Sequence, residues 1–322
     1  MTKPIPVLIT GGMPEHLLEN IRTPGYEFVH MEDPADADLA RAEVIVGFPP
    51  VSRLWAATNL KWVQIPWSGA DGYADHPDFP GHVVLTNATG AFGRPIAEYA
   101  LAGVLTLMRR FHQYRDCQKK CLWQRQGDEM TPTGKHVLIL GAGDIGTHAA
   151  ELFKVFGCTV TGVRRVARSI PEHFDAMVTL EEAEKVLPEA DIIICALPNT
   201  PMTRGYLNRS RLSLLKNTAI LVNVGRGNLL DHNALAELLR ENKIYGAVLD
   251  VTDPEPLPAE HPLWKCENAL ITPHVSGQTF QGLSHKEEFF FRVCRENLQR
   301  YLQGQELKNR VDLSTGYRVT TG

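Results

Sequence analysis

The fold of this chain is decided by the stretch Val137-Leu138-Ile139-Leu140-Gly141-Ala142-Gly143-Asp144-Ile145-Gly146. Residues 147–156 after it have helical character, and the β-branched run 159–163 predicts a second strand. A G-x-G-x-x-G motif between a strand and a helix is the context that dinucleotide binding requires. There Gly141 permits a tight turn, Gly143 lets the backbone approach a pyrophosphate, and Gly146 allows close helix packing. The stretch therefore predicts a dinucleotide site with a helix N-terminus facing the phosphates.

Strand candidates recur on both sides of this turn, separated by helical or polar stretches. In the first hundred residues lie the candidates 7–10, 44–48, 62–66 and 83–87, the candidate 136–140 leads into the turn, and after it lie residues 159–163, 192–197, 219–224, 247–251 and 269–272. An apolar-rich helix is predicted over 94–110, and another over 283–302. The alternation predicts the α/β class, with two Rossmann-like, doubly wound parallel-sheet domains.

Length and composition exclude several classes of protein. A chain of 322 residues with 43% hydrophobic and 22% charged residues is long enough for two globular domains. A net charge of -4 gives no reason to bind nucleic acid or anionic membranes. The six cysteines form no Cys-x-x-Cys, and the N-terminus lacks a signal-like apolar segment. We expect a cytoplasmic protein with reduced thiols, no membrane association and no metal site.

The end of the second strand bears on the choice of cofactor. An acidic residue there would bind the adenosine ribose hydroxyls and select NAD, but the strand ends in Arg164 and Arg165. Two guanidiniums offer bidentate donors to a 2′-phosphate, so NADP(H) is favoured while NAD(H) stays possible. The alternative is that both arginines belong to a solvated loop.

Three further strand ends carry side chains with catalytic potential. Arg226 stands between two glycines, Glu255 lies between two prolines, and His274 follows Pro273. Alone, each has a simpler interpretation: a surface turn, a solvated carboxylate and a structural histidine. Together they supply what reduction of a 2-oxo acid needs, namely a cation for the substrate carboxylate, an imidazolium that donates to the carbonyl oxygen, and a carboxylate that orients it.

At this point nearly the whole chain resembles the D-isomer-specific 2-hydroxyacid dehydrogenase family. The resemblance is carried by residues 67–71, 96–99, 141–146, 197–203, 225–227, 250–256 and 273–274. Arg164 occupies the position of the family's acidic ribose-binding residue, as in its NADP-using glyoxylate and hydroxypyruvate reductases. The resemblance therefore implies a small 2-oxo acid as substrate.

The family also implies an organisation and a set of site residues. It implies a discontinuous substrate domain at 1–98 and 283–322, a cofactor domain at 99–282, a cleft between them and a homodimer. Arg226, Glu255 and His274 would be catalytic, Asp250 would support them, and the backbone at Ser68 and Gly69 would bind the substrate carboxylate with Arg226 and His274. The expected cofactor contacts are Gly141, Gly143, Asp144, Ile145, Gly146, Arg164, Arg165, Leu197, Pro198, Thr203, Val224, Gly225, Asp250 and Gly277.

Several alternatives stay open at this level. A nucleotide-sensing interaction protein, similar to the C-terminal binding protein corepressors, keeps this fold and much of the catalytic trio. A phosphite dehydrogenase shares the trio, whereas formate dehydrogenase carries glutamine where Glu255 stands. Trp67 either narrows the substrate pocket or stacks on an aromatic substrate, and Trp123 either reaches a neighbouring subunit's site or packs at a dimer interface.

Overall fold

The computed structural model describes residues 3–11, 18–165, 169–277 and 285–319, with side chains from residue 288 onward in the last range. The chain divides into two compact units, residues 1–92 with 279–322 and residues 93–278. Both boundaries fall a few residues before those that the sequence predicts. At the first of them, the helix that begins at Gly93 packs against elements of the second unit. In the described part of the chain, no helix is both long and apolar enough to span a membrane.

The described residues form the following elements. The strands are β1 Ile5–Thr10, β2 Tyr26–Met31, β3 Val44–Val46, β4 Trp62–Gln64, β5 Val84–Thr86, β6 His136–Leu140, β7 Thr159–Val163, β8 Ala176–Val178, β9 Ile192–Cys195, β10 Ile220–Asn223, β11 Gly246–Leu249 and β12 Ala269–Ile271. The α-helices are α1 Asp36–Arg41, α2 Gly93–Met108, α3 Phe111–Lys119, α4 Asp144–Val155, α5 Ala183–Val186, α6 Arg209–Leu212, α7 His232–Arg240 and α8 His285–Leu302. Short 3-10 segments lie at Glu19–Ile21, Val51–Ala56, Leu187–Glu189, Gly227–Leu229 and Pro262–Lys265.

The first unit contains a parallel sheet in the order β2-β1-β3-β4-β5. Its central strand β3 is fully buried, as continuous apolar runs in parallel sheets usually are. The sequence did not predict β2. This edge strand is mostly exposed or half-buried, so it lacks the apolar run that marks the other strands.

The second unit contains a parallel sheet in the order β12-β11-β10-β9-β6-β7-β8. From β6 the chain proceeds outward to β7 and β8, and then returns to place β9 on the other side of β6. The strand order therefore reverses between β6 and β9, which is where open α/β sheets bind ligands. The predicted α/β class is confirmed, although edge strand β8, with three half-buried residues, was missed.

The predicted helix 94–110 is shorter than expected and is followed by a second helix. Helix α2 ends at Met108, and Arg110 takes a φ of 56°, after which α3 begins. The sequence did not predict α3, and none of its residues is buried.

Candidate active site

The loops that carry the predicted residues of the second unit lie at one edge of its sheet. They follow β6, β7, β9, β10, β11 and β12, and the carboxyl ends of parallel strands share an edge. Ser68 and Gly69 belong to the first unit, where they follow β4.

The glycine turn after β6 requires residues that have no Cβ atom. Gly141 has a φ of 109°, and a Cβ there would lie 2.7 Å from the Ala196 carbonyl oxygen, across the switch point. A Cβ at Gly146 would overlap the Gly141 carbonyl oxygen, so α4 packs directly on the turn. At Gly143 a Cβ would meet nothing within 4 Å, and this residue is exposed. Open space thus lies beside the N–H groups of the first turn of α4, which have no intrahelical acceptor, and a dinucleotide pyrophosphate fits there.

The loop after β9 is shaped by its own side chains. Thr203 is 2% exposed, and its hydroxyl donates to the Pro198 carbonyl oxygen at 2.6 Å. The Leu197 backbone packs closely against two glycines. A Cβ at Gly141 or at Gly225 would lie only 3.1 Å from the Leu197 nitrogen. The hydroxyl of Thr203 therefore holds the loop, and its predicted cofactor contact stays a prediction.

Arg164 lies against the glycine turn. Its Nε donates to the Ala142 carbonyl oxygen at 2.8 Å, and the residue is half-buried, whereas Arg165 is exposed. The bond fixes the guanidinium beside the turn. Such a position is compatible with binding an adenosine ribose phosphate.

The loop that carries Arg226 is clamped by Asn223, the last residue of β10. Asn223 is fully buried; its Nδ2 donates to the Arg226 carbonyl oxygen at 2.9 Å, and its Oδ1 accepts from the Gly225 nitrogen at 3.1 Å. The Arg226 side chain is half-buried and donates from Nη1 to the Gly225 carbonyl oxygen at 2.7 Å. The sequence reasoning missed Asn223, although a polar residue between Val222 and Val224 in a buried strand was a usable signal.

Gly227 brings the Arg226 loop against the loop that carries Glu255. A Cβ at Gly227 would overlap the Thr252 carbonyl group and lie 2.6 Å from the Asp253 nitrogen. Glu255 closes its own loop, since its Oε1 accepts from the Thr252 nitrogen at 3.0 Å. Backbone contact at Gly227 therefore sets the spacing of the two loops.

Replacing Gly227 with alanine should push these loops apart. We expect kcat/KM for a 2-oxo acid to fall about 10²-fold, since displacing catalytic groups by about 1 Å has effects of this size. Steady-state kinetics beside a thermal melt would measure it. Gly81→Ala is the matched control, because a Cβ at Gly81 meets nothing within 4 Å. Wild-type kinetics in Gly227→Ala would contradict the predicted catalytic roles of the loops that carry Arg226 and Glu255.

His274 and Glu255 form the contact that the sequence predicted as a catalytic pair. His274 Nδ1 lies 3.0 Å from Glu255 Oε2, and the two side chains are 53% and 41% exposed. With Nδ1 engaged by the carboxylate, Nε2 is the ring nitrogen left to serve a substrate.

Asp250 holds the loop around His274. Its carboxylate is 1% exposed and accepts from the Val275 nitrogen at 2.8 Å, the Ser276 nitrogen at 2.9 Å and the Thr272 hydroxyl at 2.6 Å. These three hydrogen bonds are how Asp250 could support His274, as the resemblance implies. A cofactor contact by Asp250 stays a prediction.

The loop of the first unit is pinned to the segment after β5. Asn87 Nδ2 donates to the Ser68 carbonyl oxygen at 2.7 Å, and the Ala88 nitrogen donates to the Trp67 carbonyl oxygen at 2.8 Å. Ser68 and Gly69 are half-buried and Trp67 is 50% exposed. The backbone of this loop therefore has a fixed course.

Known proteins resemble this chain over most of its length. Residues 101–276 match the model of the NAD binding domain of D-isomer specific 2-hydroxyacid dehydrogenases. A glyoxylate/hydroxypyruvate reductase A of Escherichia fergusonii is 32% identical over 291 residues, which are 88% of each chain.

Solved structures give the same result. A D-isomer specific 2-hydroxyacid dehydrogenase family protein from Aeromonas salmonicida superposes with a TM-score of 0.84 at 33% identity, covering 97% of this chain and all of the other. An NADPH-dependent glyoxylate/hydroxypyruvate reductase from Sinorhizobium meliloti, in complex with NADP and sulfate, superposes with a TM-score of 0.82 at 25% identity. The match covers 97% of this chain and all of the other. The chain therefore belongs to the D-isomer specific 2-hydroxyacid dehydrogenase family and is an NAD(P)-dependent oxidoreductase.

Proposed function

We propose that this protein reduces a small 2-oxo acid, of the glyoxylate or hydroxypyruvate kind, to the D-2-hydroxy acid. The observation that carries the proposal is the 3.0 Å contact between His274 Nδ1 and Glu255 Oε2 at the sheet edge that bears Arg226 and the glycine turn. The similarity to a glyoxylate/hydroxypyruvate reductase of Escherichia fergusonii supports this substrate class.

Each side chain has one task in the proposed reaction. The Arg226 guanidinium binds the substrate carboxylate, and backbone N–H groups at Ser68 and Gly69 add hydrogen bonds to it. His274, protonated, donates its Nε2 proton to the carbonyl oxygen, and Glu255 holds the Nδ1–H and favours the charged imidazolium. The bound cofactor supplies the hydride that the carbonyl carbon accepts. One NADPH and one proton are consumed for each hydroxy acid formed.

We propose NADPH as the preferred cofactor. Arg164, fixed beside the glycine turn by its bond to Ala142, offers its guanidinium where an acidic residue would repel a 2′-phosphate. The relative from Sinorhizobium meliloti is an NADPH-dependent enzyme solved with NADP. The homodimer that the family implies stays a prediction.

A substrate panel tests the proposed function. Purified protein with NADPH or NADH is given glyoxylate, hydroxypyruvate, pyruvate and phenylpyruvate, and NAD(P)H oxidation is followed. Glycolaldehyde, which has a carbonyl but no carboxylate, is the matched control compound. We expect the highest kcat/KM with glyoxylate or hydroxypyruvate and NADPH, and none with glycolaldehyde. Absence of turnover with all four 2-oxo acids would contradict the proposed substrate class.

A further inference from the structure

A chain of hydrogen bonds connects helix α2 to the loop of His274. The Tyr99 hydroxyl lies 2.6 Å from Thr272 Oγ1, and Thr272 Oγ1 lies 2.6 Å from Asp250 Oδ1. Because a carboxylate only accepts, Thr272 must donate its single proton to Asp250. Tyr99 must then donate to Thr272, so the direction of every bond in the chain is fixed.

Asp250 in turn accepts hydrogen bonds from three successive backbone N–H groups. Its carbonyl oxygen accepts from the His274 nitrogen at 2.9 Å, and its carboxylate oxygens accept from the nitrogens of Val275 and Ser276. His274 itself has a φ of 54°, in the left-handed region. A non-glycine residue there is disfavoured and persists only where neighbouring contacts hold it.

We propose that Tyr99 and Thr272 are positioning residues for the reaction: through Asp250 they hold the His274 backbone where its imidazole meets Glu255. The inference rests on the proposed catalytic role of His274. Within the described residues, the network contains the Asp250 carboxylate, and the loop it holds carries His274, whose imidazole lies against Glu255.

The tyrosine is suited to be the terminal donor of this network. Burial, together with the nearby Asp250 carboxylate, raises the pKa of Tyr99 to about 12, although its bond to Thr272 acts in the opposite direction. The hydroxyl therefore stays protonated over the whole pH range in which the enzyme would be assayed.

Two near-isosteric variants test the proposal. Tyr99→Phe and Thr272→Val each remove one hydroxyl and keep the side chain's shape. We expect kcat to fall about 10-fold in Tyr99→Phe, the size of one lost hydrogen bond. In Thr272→Val, Asp250 itself loses a hydrogen-bond donor, so we expect kcat to fall about 10²-fold. The KM for NADPH should stay unchanged.

The split between kcat and KM separates positioning from a merely structural role. A displaced imidazole transfers its proton to the carbonyl oxygen less well, so kcat should fall in both variants while the KM for NADPH is kept. Thr272→Ser, which keeps the hydroxyl, should restore the rate.

Tyr206→Phe is the matched control. Its hydroxyl donates to the Leu180 carbonyl oxygen at 2.7 Å in the same unit, outside the network. This variant should lose stability like Tyr99→Phe but keep wild-type kcat. If Tyr99→Phe and Thr272→Val behave like Tyr206→Phe while His274→Ala is inactive, the positioning inference alone is overturned. An active His274→Ala overturns the catalytic role of His274, and the positioning inference with it.

Discussion

Replacing His274 with alanine is expected to lower kcat for 2-oxo acid reduction by about 10²- to 10⁴-fold, the range that general acid catalysis contributes. The variant loses the group that protonates the carbonyl oxygen, while the glycine turn and the loop after β9 are untouched. NADPH binding, measured by fluorescence titration, should therefore stay close to that of the wild type. A fall in kcat without a change in cofactor affinity separates loss of the proton donor from loss of the fold.

A histidine outside the site provides the control for this experiment. His82 is exposed in the first unit, so His82→Ala should keep wild-type kinetics. Glu255→Gln should show a smaller fall in kcat than His274→Ala, because the amide still accepts a hydrogen bond but no longer favours the charged imidazolium. Substantial activity in His274→Ala would remove this residue from the catalytic role.

Replacing both Arg164 and Arg165 with aspartate is expected to reverse the preference for NADPH. Hydrogen bonds to charged groups contribute about 1.5–3 kcal/mol each, so losing two should change the ratio of kcat/KM for NADPH to that for NADH by 10²-fold or more. The same change places carboxylates where the ribose hydroxyls of NADH can be bound. Steady-state kinetics with each cofactor, at a saturating concentration of hydroxypyruvate, measure the ratio.

The ratio is the appropriate measure because Arg164 also supports the turn. Its bond to the Ala142 carbonyl oxygen is lost in the variant, which lowers the efficiency with both cofactors. The control replaces Arg115 and Lys119, two exposed cations on α3, with aspartate, so that the change in net charge is the same. This control should leave the ratio at its wild-type value. An unchanged ratio in the Arg164 and Arg165 variant would show that the phosphate is recognised elsewhere.

The central strands of both sheets could be predicted from the sequence, because buried parallel strands are continuous apolar runs. β6, β9 and β10 are of this kind and lie where they were predicted. The edge strand β2 mixes polar and apolar residues, and β8 has only three residues, so neither was predicted. Helix α3 is short and buries no residue, and it was not predicted either.

The side chains to which we assign the chemistry were proposed from sequence, whereas most of the residues that hold them in place were not. Arg226, Glu255 and His274 are reactive types at strand ends, and the glycine turn has its own pattern. The importance of Gly227 depends on how closely the Thr252 backbone approaches it, which only the folded chain shows. Tyr99 is far from Thr272 in sequence and was noted only as part of a resembling segment.

The chirality of the product formed from hydroxypyruvate tests the central claim most directly. Purified wild-type protein is incubated with NADPH and hydroxypyruvate, and the glycerate formed is separated on a chiral column and compared with the NADPH consumed. The proposed function predicts D-glycerate alone, in an equal amount to the NADPH oxidised. L-glycerate, a racemate, or no consumption of NADPH would contradict it.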